Sequence, residues 1–349
     1  MAKVLEGLKT FFVKGVWQTF CVKWFWKGFC VNLVYKKFDK WKGWLYLAPA
    51  LVLLCIFTVW PIINTVRMAF LNGYSALEAS KGATYTFGIE NFKNVIISTD
   101  DTFITSLKNT MLLCVLTVPL STLLALLIAV CLNAIKPLQK MLQTIFFLPY
   151  VTNSIAIGMV FTAMFSMIGA GLDTRRPLIQ SAGIINTIIS WFGGKPVNWM
   201  NTGSSYEANI TVLVIYIVWN ALPFKILVLL GGLQSVNKQY YEAAKIDGTP
   251  RWRVFTRITV PLLSPMIAYV VITGFIGGFK EYTSIVGIFG DKMGPPGKAG
   301  RLNTMVGMIY DSLSMDKHGK ASAAALILFA IIFVVTMINL YVSKKKTHY

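Results

Sequence analysis

The chain has 349 residues, 55% hydrophobic and only 13% charged, with a formal net charge of +19. A soluble domain cannot hide that much apolar surface, so the composition excludes an ordinary globular protein and points to a membrane protein. The excess of positive charge lies where it orients membrane spans, which argues against a nucleic-acid surface.

Residues 1–43 carry nine lysines against Glu6 and Asp39. Trp17, Trp24, Trp26, Trp41, Phe11, Phe12, Phe20, Phe25 and Phe29 are interleaved with them. Basic residues mixed with Trp and Phe suit a helix lying in the headgroup layer of an anionic membrane, here also an orientation signal. Phe12-Val13-Lys14-Gly15 and Phe25-Trp26-Lys27-Gly28 echo one another but are too few for a repeat. No small-residue cleavage pattern follows the first apolar run, so that run is expected to stay as an anchor. The five cysteines, Cys21, Cys30, Cys55, Cys114 and Cys131, have no metal-ligand spacing and read as reduced thiols.

Six runs, near 44–66, 109–132, 142–167, 210–233, 262–289 and 322–343, are long enough to cross about 30 Å of hydrocarbon as helices. An even number of spans puts both termini on one side. If that side is cytoplasmic it receives 19 Lys and Arg residues against four acids, while the other side is close to balanced. The positive-inside rule therefore places both ends in the cytoplasm, and Lys344-Lys345-Lys346 in the 344–349 tail agree. The expected fold is an all-α, polytopic integral membrane protein with six transmembrane helices and a basic interfacial N-terminal segment. Outer loops at 67–108, 168–209 and 290–321 are rich in Gly, Asn, Ser and Thr and suit a surface that receives something. In the second of them Trp191 and Trp199 are expected to anchor at the interface. The inner loop 133–141, with Lys136, Pro137 and Lys140, is a short basic turn, and only 234–261 is large enough inside to dock a partner.

Charges within a bilayer are costly and usually functional. Lys225 follows Pro223 in the fourth span, and Lys280 and Glu281 lie in the fifth. If these spans are neighbours, Lys225, Asn220 and Glu281 face a shared polar cavity. Snorkelling of Lys225 and an ion pair involving Lys280 and Glu281 are the alternatives. Gly274, Gly277 and Gly278 share one face of the fifth span, which suits a cavity or a close helix contact. Tyr216, Trp219, Phe224 and Tyr282 are candidates to stack on a sugar ring. There is no Gly-rich Lys-Ser/Thr loop for ATP, and His318 and His348 belong to no metal cluster. No Ser/His/Asp or Cys/His set can be assembled. The chain does not read as an enzyme, and no metal or cofactor is expected on it.

The polar stretch Tyr240–Leu263 is the most structured interruption between apolar runs. Ser235 is placed to cap a helix running through Glu242, Ala243 and Ala244 to Asp247, and Gly248 to end it at positive φ. Thr249-Pro250 then starts a second helix, and Lys245, Arg251, Arg253 and Arg257 make the pair basic. As physics alone this is a rigid cytoplasmic docking knob.

Glu242-Ala243-Ala244, Asp247-Gly248 and then Ile258-Thr259-Val260-Pro261 resemble the EAA loop of binding-protein-dependent ABC importer permeases, with Val260 where leucine is usual. Trp219-Asn220-Ala221-Leu222-Pro223-Phe224 and Leu233-Gln234-Ser235 upstream, and Pro261-Leu262-Leu263-Ser264-Pro265 downstream, extend the match. Gly294-Pro295-Pro296-Gly297, Thr304, Tyr310 and Gly319-Lys320-Ala321-Ser322-Ala323-Ala324 resemble the carbohydrate-uptake branch, closer to its MalF-like than its MalG-like subunit. The resemblance covers roughly 44–343, which makes that range the transmembrane domain and leaves 1–43 outside it.

The resemblance implies a permease subunit in a bacterial cytoplasmic membrane. It also implies a second, MalG-like permease subunit, two ATPase subunits that bind ATP and Mg, and an external sugar-binding protein. Glu242, Ala243, Ala244, Asp247, Gly248 and Pro261 would couple to an ATPase subunit, the helix at 237–247 seated in its groove. The sugar or oligosaccharide would contact Ile217, Asn220, Ala221 and Phe224 on the fourth span. On the fifth it would contact Gly274, Gly277, Gly278 and Glu281. Lys225 and Lys280 would instead suit an acidic sugar if they faced the cavity. A permease of this architecture for a glycerol phosphodiester or polyamine, and an ATPase-independent secondary transporter, are the competing readings.

Overall fold

The computed structural model describes residues 43–44, 46–97, 102–135, 139–168 and 181–346. The expected interfacial segment, and Lys136 and Pro137 of the short inner turn, lie outside these residues. The chain divides into two compact units, residues 1–64 and 65–349. In the first, the described part is the greater part of helix α1, Tyr46–Ala69, which is long and apolar enough to cross a membrane.

In the second unit, α2 (Ala76–Ser80) and α3 (Glu90–Ile96) lead to the long α4 (Thr102–Ala134). Next come α5 (Gln139–Val151), α6 (Ser154–Phe165) and α7 (Ile184–Trp191). A two-residue antiparallel ladder, β1 (Met167–Ile168) with β2 (Ser181–Ala182), lies between α6 and α7. Then follow α8 (Tyr206–Ser235), α9 (Gln239–Ile246), α10 (Arg251–Leu262), α11 (Ser264–Phe279) and α12 (Thr283–Phe289). The last two are α13 (Met305–Ser314) and α14 (His318–Lys346). The protein is a helical, polytopic membrane protein: among the described residues four helices are long enough to span, or six if two bent pairs each count as one.

Lipid is as apolar as leucine, so helices in a membrane associate through close packing of small residues and through hydrogen bonds rather than by hiding apolar faces. The buried stripe of α4 follows that rule. Asn109, Leu113, Thr117, Ser121, Ala125 and Ala129 recur every fourth residue and are all buried, while Leu116, Leu120, Leu123 and Leu127 are exposed. On this stripe α4 packs along α8 and α11. Asn109 Nδ2 bonds the carbonyls of Arg301 (3.1 Å) and Asn303 (2.8 Å), and its Oδ1 accepts from the Tyr206 hydroxyl (2.6 Å).

Two runs expected as single spans are broken. The run near 142–167 is α5 and α6, which meet at 98°. Pro149 weakens the end of α5, and Asn153 caps α6 by accepting from the Ile155 (2.9 Å) and Ala156 (3.4 Å) N–H groups. The run near 262–289 is α11 and α12, interrupted at Lys280-Glu281-Tyr282, and α10 enters α11 through a 68° bend. Each of Pro61 and Pro261 is preceded by one π-turn, Cys55–Val59 and Phe255–Thr259. A proline ring clashes with the carbonyl four residues back, and a local i→i+5 turn opens the space it needs.

The broken segments hold together by a glycine contact. A Cβ on Gly158 of α6 would lie 2.6–2.8 Å from the backbone of Gly287 in α12. That contact is backbone against backbone, so nothing flexible can give way. Gly158→Ala is expected to destabilise the purified protein by about 1–3 kcal/mol, read as a lower thermal unfolding midpoint in detergent; an unchanged midpoint would contradict the packing argument.

Candidate functional site

The fourth-span candidate, α8, carries Pro223 inside it, and its missing N–H leaves the helix ladder one bond short there. Around that proline lie Ile217, Asn220, Ala221, Phe224 and Lys225. With Gly274, Gly277, Gly278 and Glu281 from α11 and the turn after it, they line a single cavity of about 350 Å³. All eight residues singled out as substrate contacts therefore surround one space. The rest of the lining was missed: Thr117, Val118 and Ser121 from α4, Tyr150 from α5 and Thr273 from α11. The signal for the α4 residues was available in its every-fourth-residue stripe of small and polar side chains.

Lys225 does not snorkel. It is 4% exposed, and its ammonium donates to Ser121 Oγ (2.7 Å), Thr122 Oγ1 (3.0 Å) and the Val118 carbonyl (3.2 Å). Both hydroxyls in turn donate to carbonyls of their own helix, Thr122 to Val118 at 2.7 Å and Ser121 to Thr117. A Cβ on Gly274 would stand 3.2 Å from Lys225 Nζ and 3.1 Å from Val118, so glycine there leaves room for the buried cation.

The three glycines of α11 do different things. A Cβ on Gly278 would meet Cys114 Sγ at 2.8 Å, so this glycine brings α11 against α4. Gly277 meets nothing within 4 Å and opens on the cavity. Glu281 is half-buried, and its Oε1 accepts from the Ser284 N–H at the start of α12 (3.2 Å). Its carbonyl accepts from Thr304 Oγ1 (2.9 Å), which ties the break between α11 and α12 to the loop before α13. Lys280 is exposed and is not part of the cavity wall.

Of the aromatic candidates only Phe224 lines the cavity, with the Tyr150 ring stacked against it at 6.2 Å. Tyr216 is fully buried, edge-on to Phe161, and donates to the Ser154 carbonyl at 2.5 Å. Trp219 packs on Phe161, and Tyr282 stacks on Tyr310 at 4.5 Å. Asn220 Nδ2 donates to Ser154 Oγ (3.1 Å), fixing the side chain against the first residue of α6. In the second outer loop Trp191 is exposed, whereas the indole N–H of Trp199 is held by Asn186 Oδ1 at 3.0 Å.

The second predicted set sits on α9. Ser235 is not its cap: it ends α8, its hydroxyl bonds the Gly232 carbonyl (2.7 Å), and Asn237 Oδ1 instead accepts from the Gln239 N–H (3.0 Å). Gly248 has φ +65°, with Gly248 N–H bonding the Lys245 carbonyl (3.2 Å) and Thr249 N–H the Ala244 carbonyl (2.9 Å). That is the Schellman arrangement that a glycine after a helix permits. Thr249 does not cap α10; Pro250, extended at ψ 145°, precedes it without a side-chain cap. Glu242, Ala243 and Asp247 are exposed, Ala244 is buried, and Pro261 lies just beyond the π-turn of α10. The Tyr241 hydroxyl meets Thr259 Oγ1 at 3.4 Å and joins α9 to α10. Ile246 (86% exposed) and Trp252 (72% exposed) project from this pair.

Residues 90–348 match the family described as "Binding-protein-dependent transport system inner membrane component". The chain belongs to that family. This permease is 26% identical over 314 residues to the lactose transport system permease protein LacF of Rhizobium radiobacter, covering 89% of its own length and 97% of LacF. It is 29% identical over 302 residues to the arabinooligosaccharides transport system permease protein AraP of Bacillus subtilis (strain 168), covering 86% and 88% of the two chains. In fold it matches a chain of the bacterial alginate ABC transporter solved with an alginate pentasaccharide-bound periplasmic protein. That match has a TM-score of 0.72 and 22% identity, over 90% of this chain and 98% of that one.

Because Gly277 borders open space, Gly277→Leu is expected to fill the permease cavity without straining the fold. Solute uptake by the assembled transporter should fall to background. The unfolding free energy should stay within about 0.5 kcal/mol, as for substitutions that meet no neighbour. Normal uptake would remove this cavity from the transport path.

Proposed function

We propose that this chain is the permease subunit of an ATP-driven importer that moves a sugar or oligosaccharide delivered by an external binding protein across a bacterial cytoplasmic membrane. The observation that carries the reading is the cavity between α4, α8 and α11, in which hydrogen-bonding groups and an aromatic face stand together. Sugars need both: hydroxyls that pair with polar side chains, and an apolar ring face that packs on an aromatic ring. The relatives LacF and AraP are named for sugar transport, which supports the same substrate class.

In this reading α5–α6 together, and α11 with α12 together, each cross the membrane once, which with α1, α4, α8 and α14 makes six spans, and both termini are cytoplasmic. A second, MalG-like permease subunit completes the pathway. Two ATPase subunits bind ATP and Mg, and one receives α9 in a groove. Glu242, Ala243, Ala244, Asp247, Gly248 and Pro261 belong to the element that transmits motion. Its glycine turn, the Tyr241–Thr259 contact and the continuation of α10 toward α11 favour movement as one body. Closure of the ATPase dimer then biases an inward-open to outward-open equilibrium. A secondary transporter usually carries coupling acids in several spans, and Glu281 is the one acid on this cavity wall.

The test is reconstitution in proteoliposomes. Uptake is expected only with the ATPase partners and ATP present; uptake driven by an ion gradient alone would overturn the reading. Gly248→Val, which places a β-branched residue at φ +65°, is expected to leave the protein in the membrane while separating ATP hydrolysis from transport. Wild-type uptake by that variant would show that the turn is not needed for coupling.

A further inference from the structure

We infer that the permease holds a further sugar unit outside the central cavity, on a platform made by the stacked rings of Tyr282 and Tyr310 beside the Asp291 carboxylate. Its solute is then an oligosaccharide rather than a monosaccharide. The inference rests on the proposal that the chain is a sugar permease.

Tyr282 follows Glu281 of the cavity wall but does not itself line that cavity. The Glu281 carbonyl is held by Thr304 Oγ1, and the same hydroxyl caps α13 by accepting from the Gly307 N–H (3.3 Å). Tyr310 stands on α13, so the residue that closes the α11–α12 break also sets the helix that bears the second ring. In the proposed topology α13 belongs to the third outer loop, on the side from which solute arrives. The two rings lie 4.5 Å apart at 24°. Tyr282 covers one face of the Tyr310 ring, and Tyr310 is still 51% exposed, which leaves its other face open.

A sugar ring asks for a flat aromatic face and for hydrogen-bonding groups around its edge. Among the described residues neither phenol hydroxyl has a hydrogen-bond partner. The carboxylates of Asp291 and Asp311 are close enough to act electrostatically on the Tyr282 hydroxyl. One Asp311 oxygen is taken by Asn303 Nδ2 (2.6 Å), whereas the Asp291 carboxylate is exposed and bonds no described residue. The platform therefore offers donors and acceptors together, and a carboxylate is a strong acceptor for a sugar hydroxyl. Asp291 also borders a separate cavity of about 930 Å³, with Ser166, Asn201 and Lys292 on its wall. A space of that size takes a small molecule and gives sugar units beyond the stacked one somewhere to lie. A bound cation is better served by rings that enclose it at an angle; these two are nearly parallel and present one face, with Lys292 next to Asp291.

The test uses lactose, arabinotriose and maltotetraose, each paired with the methyl glycoside of its non-reducing sugar. They are titrated calorimetrically into the purified permease–ATPase complex without its external binding protein. At least one oligosaccharide is expected to bind about fivefold or more tightly than its monosaccharide. Tyr310→Ala should abolish that advantage while monosaccharide affinity stays within about twofold, and Tyr310→Phe, which keeps the ring, should retain most of it. Asp291→Asn should lower oligosaccharide affinity about threefold or more, and no change there would overturn the role given to that carboxylate. No oligosaccharide advantage in the parent, or one that survives Tyr310→Ala, would overturn the platform. An equal loss for both sugars would make the ring pair structural, and failure of Tyr310→Ala to assemble would make it a subunit contact; either overturns the inference. Tighter binding of spermidine, lost in Tyr310→Ala, would make it a cation site instead. In each of these cases ATP-driven sugar uptake by the parent transporter with its binding protein would leave the permease reading standing, and only the absence of that uptake would overturn the reading itself.

Discussion

The ammonium of Lys225 lies buried between α8 and α4, and the arrangement of the central helices follows from keeping it satisfied. Burying a charge is tolerable only when its hydrogen-bonding groups are matched, and removing a partner leaves an uncompensated ion. Ser121, Thr122 and the Val118 carbonyl supply that match from one turn of α4. The register between α4 and α8 is thereby set by a polar contact rather than by apolar packing, which discriminates poorly between neighbouring registers when lipid is the alternative. Gly274 lets α11 pass close beside the ammonium, and Gly278 brings the same helix onto Cys114. A cavity forms one glycine over, at Gly277, where α11 faces neither helix.

The interruptions in the helices obey the same constraint. Backbone that leaves a helix at membrane depth survives only if its polar groups are paired or line a cavity. At the α5–α6 bend Asn153 takes up two N–H groups, and Tyr216 takes the Ser154 carbonyl. At the end of α11, Glu281 takes the Ser284 N–H and Thr304 takes the Glu281 carbonyl. Both breaks border the cavity and both are pinned by side chains from elsewhere in the chain. Glu281 therefore has a structural duty at α12 together with its place on the cavity wall.

On the far side of α8, the α9–α10 pair is built for rigidity. The Schellman turn at Gly248 and the Tyr241–Thr259 contact remove most of its freedom. The π-turn before Pro261 lets α10 continue toward α11 without losing the proline.

Much of this was legible in the residues themselves. The apolar runs, the turn at Gly248, the polar pair Lys225 and Glu281 and the glycines of α11 stand out because length, positive φ and misplaced charge are properties of short stretches. Caps were harder: Ser235, expected to start α9, ends α8 instead, because a serine hydroxyl bonds a carbonyl of the preceding helical turn as readily as a following N–H. Ile217 to Glu281 were drawn to one cavity by resemblance to related permeases, whereas Thr117 and Ser121 were marked only by the small and polar stripe of α4 and Tyr150 by no charge or motif. The sequence alone determined a membrane protein with a compact basic knob between two apolar runs, since hydropathy and turn chemistry act locally. Only the tertiary structure decided that Lys225 is saturated, that Tyr216 turns into the core and that Gly277 rather than Gly278 is open. Those are properties of pairs of helices, and a donor is spent only when a partner on another helix stands within reach.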